Sequence, residues 1–326
     1  MSRIKGLILT ISIALVATGL GRIFPLVGSA VFAIVIGMII NNMIQLSNSF
    51  KPGIQYSSKK VLHYSIIVLG FTLSFHAIGT IGLKSLPILI VTLLFCGIAS
   101  ILLIKLLKIE TSLGILIGVG TSICGGSAIA ATSPVIKAKE EMIALSLSTV
   151  FLFNLVGVIV FPPLGHFFHM SQETFGFFAG TAINDTSSVV AASAVYGQQA
   201  LEVATIVKLT RTLFIIPITL GLALWMAKQQ TASEQSRKPW YQAIPNFILW
   251  FLVAAAISSI FNFSDNIITI FRQLAHFLIT IALAGVGLTV KFRHFKQAGF
   301  KPVLFGLLLW SGLTIVSLIV LNFMLS

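Results

Sequence analysis

"GTSICGGSAIAATS", residues 120–133, lies in a chain whose flanking stretches are mostly Leu, Ile, Val and Phe. Sixty positions later, at 180–193, comes "GTAINDTSSVVAAS", with the same Gly-Thr-x-Ile opening. Asn184 and Asp185 stand there in place of Cys124 and Gly125. In hydrocarbon every backbone N–H and C=O must be satisfied, so irregular backbone survives only where protein buries it or water lines it. Adjacent glycines are poor helix formers and open positive φ. Both stretches therefore read as discontinuous membrane segments, either broken helices that cross or re-entrant hairpins.

Composition identifies the solvent. Of 326 residues, 57% are hydrophobic and 9% charged, with a mean hydropathy of +1.03. A soluble domain carries about 25% charged residues. Cys96 and Cys124 lie in apolar stretches and form neither a disulfide framework nor a metal-ligand spacing. A span needs about 20 apolar residues. Apolar runs then place spans near 7–21, 25–42, 61–79, 85–104, 142–163, 203–227, 241–262, 273–290 and 303–324, beside the odd segments at 111–136 and 175–198. The expected fold is an all-α polytopic membrane protein of about 10–11 membrane segments, in one domain with halves 1–165 and 166–326. The first apolar run follows Arg3 and Lys5 without a small-x-small cleavage pattern, so it reads as an uncleaved span.

The net charge of +13 points to basic cytoplasmic loops rather than to nucleic acid. With the N-terminus inside and both odd segments crossing, fourteen Lys and Arg fall inside and five outside, with Lys208 and Arg211 inside a span. If both are hairpins, Lys137 and Lys139 move inside and the split is sixteen to three. Either arrangement predicts a cytoplasmic N-terminus. The polar stretch 228–242 reads as a hinge between halves, with Trp240 and Tyr241 at the membrane interface.

"LGFTLSFHAIGTIGLKSLPIL" (69–89) aligns without a gap on "VGLTVKFRHFKQAGFKPVLFG" (286–306). Gly70, Thr72, Phe75, Gly82 and Lys84 match Gly287, Thr289, Phe292, Gly299 and Lys301. The two run in opposite directions through the membrane, as in the inverted repeats of alternating-access transporters. Coincidence of Gly, Leu and Phe in membrane helices is the plain alternative.

A helix break near Gly125–Gly126 exposes N–H groups that favour an anion. Ser122, Cys124, Gly125, Gly126 and Ser127 of the first segment and Asn184, Thr186 and Ser187 of the second are candidate substrate-binding residues. Close helix packing uses the same small residues. Asp185 is one of eight acidic residues and lies deep in an apolar segment. An ionised carboxylate there costs at least about 2.5 kcal/mol, so it must be protonated, paired or wet. It is the candidate coupling residue for H⁺, or for Na⁺ held by neighbouring oxygens. Lys208 and Arg211, three apart on one helix face, either snorkel to a surface or act as charge partners of Asp185 or of a bound anion. No nucleophile–base arrangement or phosphate-binding loop is present, and no resident metal or cofactor is implied.

"SICGGSAIAATSPVIKAKEE", "GTAINDTSSVVAAS" and "ATIVKLTRTLFIIP", in that order, resemble the YeiH-type (UPF0324-like) family of bacterial inner-membrane proteins, which carries a sulfate-exporter label. The likeness covers essentially the whole chain. Members often read Ile-His-Asp where this chain has Ile183-Asn184-Asp185, so the aspartate carries over and the histidine does not. The resemblance implies broken helices and secondary transport of a small inorganic or sulfonated anion, in the plasma membrane. A channel and a non-transporting membrane scaffold or sensor remain the other two readings, and the sequence leaves a homodimer open.

Overall fold

The computed structural model describes residues 3–24, 28–44, 46–229, 246–261, 263–290 and 299–325. Among them every regular element is helical. The expected hinge with Trp240 and Tyr241 lies outside the described residues, as does Phe292.

Five elements form one bundle. Helices α1 (Ile4–Ile23) and α2 (Gly28–Met43) pack on each other and on α14 (Asp265–Gly287). A continuous helical rod joins α3 (Lys51–Tyr56), a π-helical turn Ser57–Val61 and α4 (Leu62–Gly70), and it packs on α14 and on α13 (Asn246–Phe261). The α2–α14 crossing is close because glycines meet backbone there: a Cβ on Gly37 would lie 2.6 Å from the Ala284 carbonyl oxygen. Small residues at such contacts let dispersion, the main attraction between helices in lipid, act at short range.

Longer helices cradle the two odd segments. Helix α5 (Phe75–Leu107) has 33 residues, about 50 Å at 1.5 Å per residue, against about 30 Å of hydrocarbon. Hydropathy places a boundary between 79 and 85, but the break falls at 71–74. Ser74 takes extended dihedrals there and accepts the Ala77 N–H at 3.1 Å, so a cap rather than a fall in hydropathy sets the boundary. Leu83, Leu94, Leu102 and Leu106 of α5 are exposed, as a lipid-facing side requires. Helices α8 (Glu140–Phe167), α11 (Gln198–Thr212) with α12 (Ile215–Gln229), and α15 (Phe300–Leu325) complete this part. Among the described residues, six helical stretches are long and apolar enough to cross a membrane.

The repeat alignment has a local counterpart that ends early. Gly70 and Gly287 both close a helix, and Thr72 and Thr289 each turn a hydroxyl back onto the carbonyl three residues before, at 2.8 and 2.7 Å. Beyond that point the stretches diverge: Gly82 and Lys84 lie inside α5, whereas Gly299 precedes α15 with φ of +81°.

Candidate functional site

Both odd segments break at the same register. Helix α6 (Thr111–Ser122) stops, Ile123–Gly125 leave helical geometry, and α7 (Gly126–Thr132) begins. Helix α9 (Gln172–Ala182) stops, Ile183–Asp185 leave it, and α10 (Thr186–Tyr196) begins. The second segment is a hairpin. Phe175 near the start of α9 stacks on Tyr196 at the end of α10, ring centroids 3.8 Å apart. The Tyr196 hydroxyl donates to the Met170 carbonyl at 2.6 Å, and the Gln199 N–H to Gln172 Oε1 at 3.0 Å.

The first segment also folds back. A Cβ on Gly120 would meet Ile129 Cδ1 of α7 at 2.9 Å. Ile109 before α6 and Ala138 after α7 belong to one apolar cluster with Met142 and Ile143 of α8. Helices α8 and α15 show that the hairpins enter from opposite ends. The N-terminal part of α8 and Phe305 of α15 pack on α6, whereas Leu164 of α8 and Leu321 of α15 pack with Phe175 and Tyr196. The tips meet between them: a Cβ on Gly125 would lie 3.4 Å from Asp185 Cβ. Gly125 has φ +67° and ψ −125°, a conformation that suits glycine, and this allows the sharp reversal.

Lys208 and Arg211 reach both tips from α11. This helix runs tightly beside α9, where Cβ atoms on Gly176 and Gly180 would lie 3.1 and 2.9 Å from the Ala200 and Ala204 carbonyl oxygens. Lys208 Nζ donates to the carbonyls of Ile123 at 2.8 Å and Ile183 at 3.1 Å. Arg211 donates from Nε to Ser122 at 2.7 Å, from Nη2 to Thr121 at 2.8 Å, and from Nη1 to Thr181. Both side chains are fully buried. They cap the negative C-terminal ends of α6 and α9, where cations are favoured. Neither forms an ion pair within 4 Å, whereas Lys84 and Glu173 do, at 2.7 Å. Snorkelling does not describe them.

The second tip has two further supports that sequence reading missed. Asn154 Oδ1 of α8 accepts the N–H groups of Asn184 at 3.0 Å and Asp185 at 3.2 Å. Trp310 Nε1 of α15 donates to the Ala182 carbonyl at 3.2 Å. Asn154 was open to detection as a single amide in the apolar run "TVFLFNLVG".

Asp185 is half-buried and serves as N-cap of α10, accepting the Ser187 N–H at 2.9 Å and the Ser187 hydroxyl on Oδ2. Thr186 is half-buried beside it, and Asn184 is fully buried with both amide atoms unpartnered. The other predicted residues are placed as follows. Ser122 and Cys124 are buried on the side of the basic pair, Ser122 turning its hydroxyl toward the Val119 carbonyl at 3.4 Å. Gly126 is half-buried and Ser127 exposed at the start of α7. The structure thus brings Gly125, Asn184 and Asp185 together at the tips and sets Lys208 and Arg211 behind them.

The family model described as conserved hypothetical protein 698 matches residues 5–306. A UPF0324 membrane protein of Fusobacterium nucleatum is 41% identical over 337 residues, covering 97% of each chain. A UPF0324 membrane protein of Streptococcus agalactiae serotype V is 42% identical over 323 residues, covering 97% of this chain and 96% of the relative. One from Streptococcus pneumoniae is 39% identical over 320 residues, covering 96% and 95%. No solved structure matches the chain. The chain belongs to the UPF0324 family, and with its six long apolar helices it is a multi-pass membrane protein.

Proposed function

We propose that this UPF0324 protein is an ion-coupled secondary transporter of a small anion, working by alternating access. The observation that carries the reading is the meeting of two opposed hairpin tips, with the N-terminus of α10 and the Asp185 carboxylate in the gap and two buried cations behind. A scaffold needs neither a half-buried carboxylate at membrane depth nor an amide left without partners. Discontinuous helices that present their ends to a solute are the usual construction of transporter sites.

In this reading the N–H groups of α10, with Thr186, hold the anion, and Asp185 couples H⁺ or Na⁺. Lys208 and Arg211 stay on their carbonyls and keep the local potential positive. Transport would move the hairpin-bearing part against the bundle of α1, α2, α13 and α14. With two opposed hairpins Lys137 and Lys139 share the side of the N-terminus, and the sixteen-to-three distribution of basic residues supports a cytoplasmic placement of that side.

The test is solid-supported-membrane electrophysiology on purified protein in liposomes, with anion jumps with and without sodium. A saturating transient current that Asp185→Asn abolishes is the expected result. Flux without saturation or counter-ion dependence would indicate a channel, and silence toward every anion would remove anion transport.

A further inference from the structure

We infer that the ligand of this site is a singly charged oxyanion that keeps at least one O–H and at least two acceptor oxygens, rather than a fully deprotonated dianion; the inference rests on the anion-transport reading above.

Three N–H groups open α10. Ser187 gives its own to Asp185 Oδ2. Those of Thr186 and Ser188 have no intrahelical acceptor at this end of a helix. They are donors in need of an acceptor. Asn184 adds two more donors on Nδ2 and an acceptor on Oδ1, all buried and unpartnered. Its backbone N–H is already taken by Asn154, so the amide is held at the tip by its own main chain. Asp185 Oδ2 is occupied by Ser187, while Oδ1 takes no hydrogen bond from the described residues. The open set is therefore mixed, with donors from α10 and Asn184 and acceptors from Asn184 and Asp185.

A bare cation would use the acceptors and leave the N–H groups empty. A dianion such as sulfate would use the donors, leave Asn184 Oδ1 unsatisfied and set its own lone pairs against the Asp185 carboxylate. A buried polar group left unpaired costs about 1–3 kcal/mol. An anion with a hydroxyl satisfies both kinds at once: its O–H faces Asn184 or Asp185, and its other oxygens face α10. One negative charge also balances the site better than two. Lys208 and Arg211 lie behind the tips and Asp185 between them, two basic groups against one carboxylate.

The experiment compares anions at one mildly acidic pH, by current on liposomes holding the whole protein. Hydrogensulfite, bicarbonate and dihydrogenphosphate carry one charge and an O–H. Methanesulfonate carries one charge without an O–H, and sulfate carries two without one. We expect saturating currents with at least one of the first three and a half-saturating concentration at least about tenfold higher for methanesulfonate and sulfate, the cost of one lost hydrogen bond to a buried group. Asn184→Leu should raise half-saturation for the protonated anion by a similar factor. The wild-type anion series decides the matter even if that variant does not fold. Equal half-saturation for sulfate, or a folded Asn184→Leu protein with unchanged kinetics, would overturn the inference and leave anion transport standing. Absence of current with every anion would remove both.

Discussion

Lys208 and Arg211, one helical turn apart on α11, take equivalent carbonyls from both hairpins. Lys208 holds Ile123 and Ile183, and Arg211 holds Thr121 and Thr181. The repeated Gly-Thr-x-Ile opening is thus a repeat of carbonyl positions, with one cation reading each. Two opposed helix C-termini would repel each other in a low-dielectric interior. The two cations make their approach favourable and fix the distance between the tips.

Replacing either cation should therefore cost stability before it costs transport. Arg211→Leu strips donors from three buried carbonyls at about 1–3 kcal/mol each, partly offset by no longer burying the charge. A net loss of about 3 kcal/mol is expected, with a smaller one for Lys208→Met, which frees two. Thermal unfolding in detergent measures both. An unchanged melting temperature for Arg211→Leu would mean that other donors replace the guanidinium.

Asp185 should behave in the opposite way. Asn is as good an N-cap as Asp, so Asp185→Asn should keep α10 capped and the melting temperature close to wild type. Asp185→Ala should lose about 1 kcal/mol with the cap. Coupled current should vanish in both. A folded Asp185→Asn protein with normal, ion-dependent current would take the carboxylate out of the mechanism.

The sequence made the two breaks legible, because Gly-Gly with Ser, and Asn-Asp with Thr and Ser, are rare in hydrocarbon and their registers match. Of the residues it marked, Gly125, Asn184 and Asp185 meet there. Hairpins could not be told from crossing helices, since a break has the same local signature in both. Closure depends on Phe175 with Tyr196 and on Gln172 with Gln199, contacts between residues more than twenty positions apart. The partners of Lys208 and Arg211 were hidden for a related reason: backbone carbonyls have no side-chain letter. A charged residue in a membrane segment prompts a search for an opposite charge, and here the opposite charge is a pair of helix ends.

Gly125 and Gly180 are glycines for different reasons, and alanine should separate them. At Gly125 an added Cβ makes ordinary contacts, but φ of +67° with ψ of −125° is unfavourable to any L residue, at about 1–3 kcal/mol. At Gly180 the backbone is helical, and the Cβ would lie 2.8 Å from Val207 Cβ and 2.9 Å from the Ala204 carbonyl oxygen. Overpacking of that kind costs about 1–3 kcal/mol. Gly97→Ala, with nothing within 4 Å in α5, is the control and should be neutral or stabilising by up to about 1 kcal/mol. Melting temperatures of the three variants test the assignment, and equal losses at Gly97 and Gly180 would contradict close packing of α9 on α11.

The hairpin geometry makes a prediction that requires no knowledge of the solute. Ser171 and Gln199 flank α9–α10 and are exposed, and the Gln172–Gln199 contact puts them at one end of the molecule. Thr111 and Lys139 flank α6–α7, are also exposed, and belong at the other end. Cys96 and Cys124 are buried, so the background toward a membrane-impermeant thiol reagent should be low. Introduced one at a time in oriented vesicles, Ser171→Cys and Gln199→Cys should label from the same side. Thr111→Cys and Lys139→Cys should both label from the opposite side. Crossing broken helices require that each pair be split between the two sides. Labelling of Ser171→Cys and Gln199→Cys from different sides would refute the hairpin, and with it the meeting of two tips on which the proposed site depends.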